Sequence, residues 1–288
     1  MKTFSATIAI LLASAAVTVG SQAGDAAKGL SGPYLGQTPP GMTPEVFAPG
    51  IISTPGWEYG VVFSPSMKEL YWVREVNADT EPEQQFVVYE QKADKWHERV
   101  IGDRTGTATL SRDGQTMFFG RSYKERTADG WSDFKRLGPA FEDIRIMRVT
   151  ESAAGTIFFD EAIENSTLRY SRLVNGERED PKPLPKEINT GKFNAHPFIA
   201  PDESYIIWDG QRNSDVRNAD LFISFKNADG SWSEAIKFDD RINTPKADFA
   251  AHVTPDGKYL FFNRSIDPDN TDTYWVDAKI IEEMRPRQ

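Results

Sequence analysis

The chain has 288 residues, with 33 Lys and Arg against 43 Asp and Glu for a net charge of −10, and no Cys. The acid excess excludes a protein that reads phosphates, which needs a basic surface. The lack of Cys excludes disulfides, thiolate metal sites, Cys nucleophiles and a lipid-modified Cys anchor.

In chain order, residues 1–23 come first. Lys2 is their only charge, an apolar stretch runs from about Ile8 to Val17, and Ser21 and Ala23 offer small residues just before a signal-peptidase cut. This predicts a secretory signal removed near Ala23, and a mature chain that is periplasmic or secreted. The apolar core is shorter than the ~20 residues of a membrane span, and nothing later is longer, so no membrane span is expected. Residues 24–43, with Pro33, Pro39, Pro40 and Gly41, predict an extended lead-in.

The stretch 44–281 is a repeat. FSPSMKELYW from Phe63, LSRDGQTMFF from Leu110, TESAAGTIFF from Thr150, IAPDESYIIW from Ile199 and VTPDGKYLFF from Val253 align at spacings of 47, 40, 49 and 54 residues. Each reads as a strand end, a tight turn and a second apolar strand. Pro65, Pro201 and Pro255 suit the first turn corner, and Gly114 and Gly257 a corner with positive φ. The interval fits a propeller blade of four strands. Third and fourth strands are expected at Phe86–Glu90 and Trp96–Ile101, at 167–173 and 177–184 around the Asn175-Gly176 turn, and at 220–226 and 232–238. The second unit offers Trp131–Leu137 but no clear third strand. The fifth unit, ending at 272–278, lacks a fourth strand, and Pro44–Ile52 parallels the missing piece. The chain is therefore predicted to be all-β, a β-propeller of five blades, with six as the alternative, its N-terminal strand closing the last blade. Residues 282–288 form a charged tail.

These SPDG-like turns, with DLFIS from Asp220 and DTYWVDAKII from Asp272, resemble the WD40-like (TolB-type) β-propeller repeat family over about residues 44–281. The resemblance implies a fold, and that fold hosts binding scaffolds, hydrolases and lyases alike.

The inner strands predict the site, at a channel mouth. Strand alternation directs Val61, Phe63, Leu110, Ile199 and Val253 to the core, and Gly60, Val62, Thr107, Thr109, His196, Phe198, Ala250 and His252 to the channel. If Gly155 matches Gly257, Arg148 and Thr150 join the lining; without that gap, Met147, Val149 and Glu151 do. Glu58, Asn194 and Asp248, just ahead of these strands, are expected to ring the mouth. Together these groups suit a glycan carrying a carboxylate, or a metal. For any one of these residues a structural role is favoured, with the histidines bonding neighbouring blades and Arg148 pairing with Asp143 or Glu151. Asp267, Asp269, Asn270 and Asp272 suit calcium by their alternate oxygens, but a polar hairpin loop is favoured because the EF-hand Gly and distal Glu are lacking. Asp209, Gln211, Arg212, Asn213 and Asp215 read as another polar loop, after a second strand, consistent with a solvated loop or with ligand contact. Trp96, Trp131 and Trp232 are expected to pack blades. There is no GxSxG, HExxH or phosphate-binding GxxxxGK[ST]. The sequence thus favours an exported propeller binding a glycan or an envelope protein. The alternative is a carbohydrate-active enzyme using His196, His252, Arg148 and the acidic rim, either a polysaccharide lyase or a glycoside hydrolase, for which Glu58 and Asp248 are a candidate carboxylate pair.

Overall fold

Each repeat carries an apolar alternation that folds into antiparallel strands, and packing these sheets face to face buries their aromatic residues. The computed structural model describes residues 29–163, 166–211 and 218–286. The segment 1–23 lies outside the described residues. Blade 1 comprises Glu58–Phe63, Glu69–Val76, Glu83–Lys92 and Lys95–Asp103. Blade 2 comprises Ala108–Leu110, Thr116–Phe119, Ser122–Thr127 and Lys135–Arg136, and blade 3 Val149–Glu151, Ile157–Asp160, Leu168–Ser171 and Lys182–Pro183. Blade 4 comprises Phe193–Ile199, Tyr205–Gln211, Asp220–Phe225 and Ile236–Lys237. Blade 5 comprises Asp248–Val253, Tyr259–Asp267 and Asn270–Asp277, with Glu45–Val46 as its fourth strand. The molecule is a five-bladed β-propeller, which removes the six-bladed alternative.

The turn after each inner strand sets the register. Ser64, Ser111, Ala200 and Thr254 donate their backbone N–H across the turn to residues 69, 116, 205 and 259. In blade 3 the turn is one residue shorter: Ser152 donates to Thr156, and Gly155 takes the corner that Gly257 holds in blade 5, both at φ 75°. The gapped alignment is therefore the one the chain adopts. It places Val149 in the core and Arg148 and Thr150 at the channel.

Closure joins the two ends. Glu45 pairs with Trp275 and Val46 with Tyr274. Phe47 then donates its N–H to the Thr273 carbonyl at 2.8 Å and buries its ring against Phe261 and Trp275. The lead-in contributes a second clasp and is not extended throughout. Pro33–Gly36 forms a 3-10 turn in which Tyr34 and Leu35 are buried. The Tyr34 hydroxyl donates to Asp256 of blade 5 at 2.6 Å, and Trp96 of blade 1 donates from Nε1 to the Gly32 carbonyl at 2.8 Å. A buried aromatic, unread in the Pro-rich sequence, is what bends this segment inward. At the other end the expected tail at 282–288 begins within a short helix, Ile280–Glu283, with Ile280 and Ile281 buried.

Outer strands depart from expectation where they are polar. The third strand of blade 2, Ser122–Thr127, reads SYKERT and has no apolar face to reveal it. Its expected fourth strand at 131–137 shrinks to Lys135–Arg136, while Gly130–Trp131 pairs separately with the end of the third strand. In blade 3 the Asn175-Gly176 turn caps its own two-stranded hairpin, with Val174 opposite Glu177. The blade's fourth strand is Lys182–Pro183. Trp96 belongs to the core between blades 1 and 5. Trp131 and Trp232 are half-buried beneath Arg126 and Lys226.

Candidate functional site

Three inner strands share a β-bulge, and it decides what faces the channel. Register slips between Tyr59 and Val62, Ala195 and Phe198, and Phe249 and His252. At each bulge one residue takes a left-handed backbone: Gly60 (φ 69°), His196 (φ 46°) and Ala250 (φ 55°). For His196 and Ala250 this conformation is strained, so something must hold it. A carboxylate from the preceding blade does. Asp160, at the end of the second strand of blade 3, accepts the His196 backbone N–H at 2.8 Å, together with those of Met147 and Arg148. Asp209, at the matching repeat position in blade 4, accepts the Ala250 backbone N–H at 2.9 Å.

An extra residue reverses the facing of every residue before it in the strand. That is why the expected rim is not a rim. Glu58 is buried and accepts from the Thr54 hydroxyl and, at 3.3 Å, from the Thr54 N–H. Asp248 accepts from Thr244 N and Oγ1 at 2.7 and 2.8 Å, and binds Arg264 Nε at 2.6 Å. Asn194 accepts from the Trp208 indole of its own blade and donates to the Ser166 carbonyl of blade 3. Glu58 and Asp248 lock the turns that lead into their inner strands, and this candidate carboxylate pair is spent on that task. Burial pushes the Glu58 carboxyl up to about 7, against the pull of Thr54.

The reversal brings Tyr59 and Phe249 to the centre instead. Their rings stack 5.9 Å apart, and the Tyr59 ring meets His196 at 6.1 Å. Thr107 stands beside the Tyr59 hydroxyl, and Arg148 lies within electrostatic reach. Groups from all four other blades thus surround this one tyrosine, which plugs the channel. Burial raises its hydroxyl to about 12, with Arg148 and Thr107 opposing. Around the plug lie Arg148, Asp160, Asp209 and His196. Arg148 pairs with neither Asp143 nor Glu151: its Nη1 donates to the Ala251 carbonyl at 3.1 Å. Burial disfavours its charge, and Tyr59, Asp209 and Asp160 support it.

His196 and Asp209 form a hydrogen-bonded pair within this cluster. His196 Nδ1 sits 2.9 Å from Asp209 Oδ1 and 3.2 Å from Oδ2. A carboxylate only accepts, so Nδ1 carries the proton and Nε2 is left for another partner. Burial works against charge on the ring, but Asp209 and Asp160 outweigh it and hold the imidazole above its ordinary range. Both residues line a cavity of about 540 Å³ at the end of the channel where the inner strands begin, between blades 4 and 5. Phe193 and Phe249 supply apolar wall, and Gln211, Lys246 and Ser265 polar wall. The Gln211 amide nitrogen is buried without a hydrogen-bond partner. Asp209 and Gln211, read as a polar loop, are in fact strand residues facing this cavity; Arg212, Asn213 and Asp215 lie outside the described residues. The DPDN segment is a tight hairpin, Asp267 opposite Asn270, whose Asp267 and Pro268 form the cavity's edge. Among the described residues, no three His, Asp or Glu side chains are grouped to hold a metal.

The histidines do not share a mouth. His252 lies toward the opposite end, where Val62, Thr109, Thr150, Phe198 and His252, one from each blade, line a small cavity together with Arg148. Burial and Arg148 press the His252 ring down to about 3, so it is neutral. Tyr59, Phe249 and Asp160 escaped the sequence reading. A trace of them was there: FFD, IWD and FFN place Asp160, Asp209 and Asn263 at one repeat position in the second strands, and Tyr59 and Phe249 hold the same repeat position.

No family model and no curated protein matches this chain. Among solved structures, TolB from Acinetobacter baumannii matches 76% of this chain and 54% of its own, at 13% identity and a TM-score of 0.47. This chain therefore spans about half of that protein. A gluconolactonase from Xanthomonas campestris matches over 78% and 86%, at 11% identity and a TM-score of 0.47. An endo-arabinase from Bacteroides thetaiotaomicron matches over 76% and 92%, at 13% identity and a TM-score of 0.47. Likeness this distant assigns neither ligand nor chemistry to the chain. Among the described residues no helix is long and apolar enough to cross a membrane.

Proposed function

We propose that this chain is an exported propeller that binds a glycan in the cavity between blades 4 and 5, with His196 and Asp209 as the polar anchor. The observation that carries this reading is the cavity itself. Its volume of about 540 Å³ suits one or two sugar rings. Aromatic walls at Phe193 and Phe249 suit the apolar face of a sugar, while His196 Nε2, Gln211 and Lys246 offer donors to its hydroxyls or carboxylate. A concave site of this kind favours a small ligand over an envelope protein, which would need a broad surface.

The His196–Asp209 pair supports a second reading, a carbohydrate-active enzyme. A carboxylate that orients Nδ1 leaves Nε2 as a proton donor or acceptor at the cavity wall. One experiment separates the two. The chain beginning at Gly24 is screened on neutral and uronate-bearing oligosaccharides by calorimetry, and the hits are followed by NMR for product. Binding without product is the expected result. It should weaken tenfold or more in Lys246→Ala and Gln211→Ala, variants that leave the Asp209 lock untouched. Product that vanishes in His196→Gln establishes the enzyme instead, and no binding across the panel removes both. Export is tested by N-terminal sequencing of the chain recovered from a bacterial periplasm, with a start at residue 24 expected.

A further inference from the structure

The opposite end of the channel holds polar groups that the fold leaves unsatisfied. Arg148 is 4% exposed and His252 7%, and Arg148 Nε and His252 Nε2 both lack a hydrogen-bond partner. Both residues line a cavity of about 60 Å³. Asp160 and Asp209 support the Arg148 charge through their field, but their oxygens are engaged by N–H groups of Met147, Arg148, His196 and Ala250 and by the His196 ring. The side-chain bond that Arg148 makes is to a neutral carbonyl, that of Ala251. Neighbouring hydroxyls are committed too: Thr109 donates to the Val149 carbonyl and Thr150 to that of Pro197. A buried guanidinium with unspent N–H donors calls for an acceptor, and a charged acceptor answers it better than a neutral one.

We propose that this cavity binds a small inorganic monoanion, of the size of chloride or nitrate, held by the Arg148 guanidinium. The volume admits a few heavy atoms and no sugar. Val62 and Phe198 give it apolar sides, which suit a weakly hydrated anion. The remaining charges at its edge do not oppose this. Arg112 is there, and Glu151 is tied to Arg178 at 3.3 Å.

The test uses the mature chain in sodium gluconate, whose anion is too large to enter, exchanged stepwise for chloride or nitrate at constant ionic strength. The expected result is a saturable rise of several degrees in the unfolding midpoint, and in crystals grown with bromide an anomalous peak within hydrogen-bond distance of Arg148. Arg148→Gln should lose both. If that variant does not fold, Val62→Phe, which fills the cavity without changing a charge, should abolish the anion dependence. Identical unfolding in chloride and gluconate means the cavity holds water, and overturns the proposal. A bromide peak without any solution dependence marks an adventitious ion only, and overturns it equally.

Discussion

Replacing Glu58 by Gln should stabilise the protein at alkaline pH and do so far less in acid. Glu58 faces Arg74 in the strand register, as Asp248 faces Arg264. Arg264 answers its partner at 2.6 Å, but Arg74 is drawn to Glu98 at 2.9 Å and to Gln85. Glu58 is thus a buried carboxyl without a cation, 2% exposed. Burial, opposed by Thr54, moves it from 4.5 to about 7. A carboxyl whose folded pKa is raised binds more protons in the native state between these two values. Stability therefore falls as pH rises through that window. Integrating from pH 5 to pH 8 gives a loss of about 2.5 kcal/mol, at 1.36 kcal/mol per pKa unit. The Gln variant keeps an acceptor for Thr54 and carries no charge, so the stability difference between variant and wild type should widen by roughly 1–3 kcal/mol over that range. Urea unfolding of both chains at several pH values reads it directly. A difference that stays flat from pH 5 to pH 8 would refute the reasoning, because Glu58 would then titrate alike folded and unfolded.

Other consequences concern closure and the tight places of the fold. Phe47→Ala removes a fully buried ring from the junction of blades 1 and 5 and should cost about 3–5 kcal/mol in urea unfolding. Tyr34→Phe deletes the bond to Asp256; a loss of about 1.5 kcal/mol is expected, and a double-mutant cycle with Asp256→Asn should recover most of it as coupling. At Gly120, φ is 59° and an added Cβ would lie 2.4 Å from the Ile146 carbonyl oxygen. Gly120→Ala should therefore destabilise by about 1–3 kcal/mol, seen as a lowered thermal midpoint.

What the order of residues determined alone is the repeated module and its closure. Apolar alternation around a Pro- and Gly-bearing turn recurs wherever a blade must bury two faces, and the unpaired edge of the fifth unit matches the spare strand at Glu45–Val46 because both obey the same local rule. Polar outer strands such as Ser122–Thr127 broke no pattern that could reveal them. The Pro-rich lead-in concealed Tyr34, whose anchor lies in blade 5. Only the tertiary structure decided which side chains meet. A bulge at Gly60, His196 and Ala250 reverses the facing of the residues before it, sending Glu58, Asn194 and Asp248 into their blades and Tyr59 and Phe249 to the axis. At His196 and Ala250 the bulge is held by Asp160 and Asp209, each reaching it from a neighbouring blade. A contact between modules some 40 residues apart leaves no mark in the local alternation from which facing is read, so the division of the channel into a His196–Asp209 cavity and an Arg148–His252 cavity emerges only once the blades are packed.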